Sequence, residues 1–104
     1  MDMNKLMQQA QEMQEQLQKV QEEAANETVE ATAGGGMVTV TANGAGEIVE
    51  IKIQKEAIDP DDPEMLADLV LAAVNEALRS AQRLVESKVG PLMGGLGGLG
   101  LPGM

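Results

Sequence analysis

From Met3 to Ala24 the apolar residues recur at alternating gaps of three and four: Met3, Leu6, Ala10, Met13, Leu17, Val20 and Ala24. Gln and Glu fill most positions between them, so the stripe is a narrow a/d seam on a helix that Asp2 or Asn4 can cap. Glu15 and Lys19 stand four apart in the order that favours a helix. So narrow a seam suits a single partner. The segment therefore reads as an arm that pairs with another helix, or else as a helix lying on the chain's own sheet.

At Glu27 the period changes to two. Val29, Ala31 and Ala33 alternate with Thr28, Glu30 and Thr32, and Gly34-Gly35-Gly36 supplies a turn. A second strand follows with Val38, Val40 and Ala42 on one side and Thr39, Thr41 and Asn43 on the other. Asn43-Gly44-Ala45-Gly46 is a hairpin signal. In the third strand Val49, Ile51 and Ile53 alternate with Ile48, Glu50, Lys52 and Gln54. Two tight connections between three strands predict an antiparallel meander with one apolar face to cover.

The cover is a second helix. Asp59-Pro60-Asp61-Asp62-Pro63-Glu64 combines turn prolines, an Asp N-cap, Pro at the first helical position and acids in the first turn. A wide apolar band then runs from Met65 and Leu66 through Leu69, Val70, Ala73, Val74, Ala77, Leu78 and Ala81 to Leu84 and Val85. Such a band predicts contact with two surfaces, the chain's own sheet and a second subunit. Gly90-Pro91 is expected to end the helix. Residues 1–90 then form one domain, and 91–104, holding only Gly, Leu, Met and Pro, a flexible tail.

Composition sharpens the expectation of self-association. The chain has 104 residues and no Phe, Tyr or Trp, so its core must come from aliphatic residues and eight Met. A chain of this size buries only roughly 60–65% of its unfolded surface, and a partner subunit would supply more burial. Leu69, Ala73 and Ala77 on the second helix, with Leu6, Met13 and Leu17 on the first, are the candidate dimer contacts. The absence of Cys and His removes disulfides, thiolate sites and the commonest metal ligand. Neither a signal peptide nor a membrane span is visible, so a bacterial cytoplasmic protein is expected.

The net charge is −10, with acids in excess in every third of the chain, which opposes nonspecific binding to nucleic acid. Gly95-Leu96-Gly97-Gly98-Leu99-Gly100 matches a dinucleotide fingerprint only in letters, since no strand precedes it. Read as a calcium loop from Asp59, the chain puts Glu64 where Gly is required and Val70 where a bidentate Glu belongs. Helix capping explains those acids. No Ser, Thr or Lys has a His or Cys partner, so no catalytic apparatus is apparent; neither enzyme activity, cofactor, metal nor small-molecule substrate is expected.

Arg79 and Arg83, four apart, and Lys88 near the helix end admit two readings. They complement the helix macrodipole and pair with Glu76 and Glu86, three residues away, or a dimer repeats them beside Lys5 and Lys19 as phosphate contacts.

Taken together these segments resemble the YbaB/EbfC family of nucleoid-associated proteins. The likeness lies in Met7-Gln8-Gln9-Ala10-Gln11-Glu12-Met13, in Gly36-Met37-Val38-Thr39-Val40-Thr41, in Asn43-Gly44-Ala45-Gly46 and in Ile51-Lys52-Ile53. It continues in Asp59-Pro60-Asp61-Asp62 and in the run from Leu66 to Ala77, and the Gly/Leu-rich end looks typical. The resemblance implies an α+β fold of helix, three-stranded antiparallel meander and helix, as an intertwined homodimer with protruding, tweezer-like helical arms. It also implies binding to double-stranded DNA and a cytoplasmic, nucleoid-associated location, with an architectural or gene-regulatory role. Arg79, Arg83, Lys88, Lys5 and Lys19 are then the candidate DNA contacts. A second expectation is a protein-interaction module that grips a partner with its apolar arms and has little DNA binding of its own.

Overall fold

The computed structural model describes residues 2–97. Helix α1 spans Met3–Asn26, strands β1, β2 and β3 span Thr28–Ala33, Val38–Asn43 and Ile48–Ile53, and helix α2 spans Pro63–Gly97. A single 3₁₀ turn, Lys55–Ala57, lies between β3 and α2. The strands form one antiparallel sheet in the order β1-β2-β3, so the predicted helix–meander–helix is the observed α+β architecture.

Local chemistry explains the boundaries. The Asp2 carboxylate accepts from the Asn4 amide at 3.1 Å and caps α1. The Asp62 carboxylate accepts from the Met65 amide at 3.2 Å, with Pro63 as the first residue of α2. All three glycines between β1 and β2 have positive φ, which lets the hairpin close in so few residues. In the β2–β3 turn the Asn43 side-chain oxygen accepts from the amides of Ala45 and Glu47. A bulge there pairs Ala42 with Ile48, so Val49 has no partner on β2.

Helix α2 lies over β1 and β2. Ala73, Ala77 and Ala81, one turn apart, sit against Ala31, Val38, Val40 and Ala42, and these seven form the buried core. Small residues along that line let the helix approach the sheet closely. Register places Ile51 opposite Val40 and Ile53 opposite Val38, so both share the face that α2 packs on. They are nevertheless exposed, because a helix about 10 Å wide spans about two strands set ~4.8 Å apart.

One feature differs from the sequence expectation. Helix α2 does not stop at Gly90-Pro91; it carries Pro91 inside and continues to Gly97. Proline forfeits one backbone hydrogen bond and crowds the preceding turn, but Val89 and Leu92 on either side are half-buried, so packing outweighs that loss. The residues of the expected tail from 98 to 104 lie outside the described residues.

Helix α1 packs chiefly on α2 rather than on the sheet, so of the two readings of its narrow seam the pairing with a helix is the one observed. Ala24 and Val85 line one cleft with Gly44, and Glu27 pairs with Lys88. The 35 residues of α2 span about 52 Å, whereas the molecule is 71 Å long. The extra length requires α1 to run back past the end of α2. Met13, Leu17 and Val20 are half-buried, while Met3, Leu6 and Ala10 are exposed on the protruding end.

Candidate nucleic-acid interface

The cations expected to meet phosphate are not equivalent once folded. Arg79 donates from Nε and Nη2 to Oε2 of Glu76, at 3.1 and 2.9 Å. Arg83 donates from Nη2 to Oε1 of the same carboxylate at 2.9 Å and to Ser80 Oγ at 3.0 Å. Both arginines therefore share one acid. Arg83 reaches two turns back to Glu76 rather than forward to Glu86, which corrects the pairing expected from spacing. The hydrogen bond from Arg79, followed by that from Arg83, holds the Glu76 carboxyl below the ordinary carboxylate range.

The macrodipole account of these two arginines also fails. With α2 running to Gly97, neither lies in the last turn, where the dipole acts. Two guanidiniums about one carboxylate leave one positive charge over, on side chains each 60% exposed.

Lys88 is committed elsewhere. Its Nζ stands 2.7 Å from Oε1 of Glu27, with the lysine side chain only 25% exposed, and so it ties α2 to the α1–β1 junction. Lys5 and Lys19 are exposed on α1, and among the described residues neither makes an ion pair. The Arg79–Arg83 pair and the α1 lysines thus occupy separate stretches of the molecule, on α2 above the sheet and along the arm.

The candidate dimer contacts divide in a similar way. Ala73 and Ala77 are fully enclosed by the chain's own sheet, and Leu69 is half-buried, close to the backbone of Gly34. Met13 and Leu17 are half-buried and Leu6 is exposed. An open apolar surface missing from that set is β3, where Val49, Ile51 and Ile53 are 52%, 44% and 39% exposed. Their alternation was visible in the sequence. What it lacked was the width of one helix against three strands.

Two clefts of about 350 and 280 Å³ flank the β2–β3 turn. Apart from Gln82 and Gln21 their linings are apolar or glycine, with no titratable side chain. Among the described residues no helix is long and apolar enough to cross a membrane.

The sequence matches the YbaB/EbfC DNA-binding family over residues 1–96. A nucleoid-associated protein of Acetivibrio thermocellus is 54% identical over 103 residues, covering 99% of this chain and 89% of that relative. One from Chloroflexus aurantiacus is 57% identical over 99 residues, covering 95% and 99% respectively. Among solved structures, an uncharacterized protein from Helicobacter pylori superimposes with a TM-score of 0.77 at 22% identity, over 89% of this chain and 98% of that one. That similarity shows the fold alone.

Proposed function

The chain belongs to the YbaB/EbfC DNA-binding family, and from that premise we propose that it binds double-stranded DNA as a cytoplasmic, nucleoid-associated homodimer with an architectural or gene-regulatory role. The observation that carries the reading is the solvent-facing guanidinium pair of Arg79 and Arg83, a local cationic surplus on a chain of net charge −10. Dimerisation repeats that pair, and the bare apolar face of β3 is the surface that favours it. So few cations on so acidic a chain make for weak, salt-sensitive binding that depends on backbone and shape rather than base edges.

A mobility-shift titration on duplex DNA at 50 and 200 mM salt tests the reading, with the Arg79→Ala/Arg83→Ala double variant alongside. Affinity is expected to fall steeply with salt and to drop further in the variant. No shift at tens of micromolar protein would remove DNA as the ligand. The second reading, a protein-interaction module, is favoured by one feature: the apolar end of α1, where Met3, Leu6 and Met7 are exposed. Binding through that surface would respond little to the same change in salt.

A further inference from the structure

The Arg79–Glu76–Arg83 cluster sets an acid against the very groups a phosphate would use. An arginine grips phosphate best with two parallel N–H donors. On Arg79 the Nε and Nη2 donors both point to Oε2 of Glu76. The other carboxylate oxygen takes Nη2 of Arg83. Glu76 thus presents two oxygens to two guanidiniums, much as the non-bridging oxygens of a phosphodiester would. Its side chain is 42% exposed, so on release it returns to water without being left as a buried charge. Exposed ion pairs of this kind add little to the stability of a fold.

Resting on the proposed DNA reading and adding to it, we infer that Glu76 is a built-in competitor for phosphate: a carboxylate that occupies the Arg79 and Arg83 donors in the free protein and must be displaced when DNA binds. It lowers the cluster from two positive charges to one and keeps the complex weak and exchangeable. The alternative role, in which Glu76 holds the arginines in place for DNA, predicts the opposite change on its removal.

The test is Glu76→Gln in the full-length chain, which keeps shape and polarity but removes the charge. Asp68→Asn is the control, since it makes the same charge change two turns away on the same helix, and Asp68 has no ion pair among the described residues. Fluorescence anisotropy on a labelled duplex gives affinity across a salt series, and circular dichroism confirms the fold of each variant. Glu76→Gln is expected to bind about three- to fivefold more tightly than wild type at low salt for each cluster the DNA contacts, the worth of one like charge removed per cluster at contact range in water. For a dimer that engages both clusters the gain is roughly tenfold or more. Its plot of log affinity against log salt should steepen by about one unit per cluster engaged.

The gain should exceed that of Asp68→Asn and vanish on an Arg79→Ala/Arg83→Ala background. If wild type binds and Glu76→Gln is no better than the control, or is weaker, the inference is wrong while the DNA reading stands. Binding by Glu76→Gln alone would support it most strongly. If neither protein binds, the DNA reading itself falls and this inference falls with it.

Discussion

At the scale of single residues, Gly44 shows what the short β2–β3 turn demands. Its amide donates to the carbonyl of Ala24 at 2.9 Å, which brings the turn directly against the end of α1. A Cβ there would fall on that carbonyl, with the Ala24 methyl also in the way. The obstacle is backbone, so no flexible side chain can move aside. The demand here is for close approach, and the positive-φ glycine of the same turn is Gly46. Gly44→Ala is therefore expected to destabilise the protein by roughly 1–3 kcal/mol, in the range of overpacked sites. Urea denaturation measures this, and an unchanged midpoint would mean that the α1 end does not rest on the turn.

At the scale of elements, α1 is one helix by periodicity and two by environment. Its seam repeats evenly from Met3 to Ala24, yet only the half from Met13 onward meets α2. Leu17→Ala should therefore cost about 1 kcal/mol, less than a fully buried leucine, whereas Leu6→Ala in a dilute monomer should stay within about 0.5 kcal/mol. Equal losses at both sites would show that the protruding end is also covered. This contrast marks where sequence stops being informative. Caps at Asp2 and Asp62, the glycine turns and the strand alternation are local, and each element followed from them. Which stretch of the seam finds a neighbour depends on where α2 ends, and Pro91 pointed to the wrong place because packing at Val89 and Leu92 outweighed it. The cluster at Glu76 was half legible. The spacing of three gave the Arg79 contact, but the reach of Arg83 over two turns depends on rotamers that spacing does not fix.

At the scale of the whole molecule, the chain is extended. Its Cα radius of gyration is 19.8 Å, against about 13 Å for a compact domain of this length. Its buried core consists of alanines and two fully enclosed valines. Beside that thin core lies β3, an edge strand with three open aliphatic side chains, where the face under α2 extends beyond the reach of the helix. An edge strand of this kind invites pairing or packing with another chain, and natural proteins seldom leave one uncovered. A second copy would cover it and set two arginine clusters on one particle, doubling the phosphate contacts without adding a basic residue. Ile51→Asp places a charge at the centre of that face while leaving the α2 contacts of β1 and β2 intact. In sedimentation velocity the wild type should run as a dimer at micromolar concentration, and Ile51→Asp as a monomer that keeps its helical circular dichroism. The monomer, with one cluster, should also lose much of the salt dependence of DNA binding. A variant that remains dimeric would move the interface away from β3, to the arms.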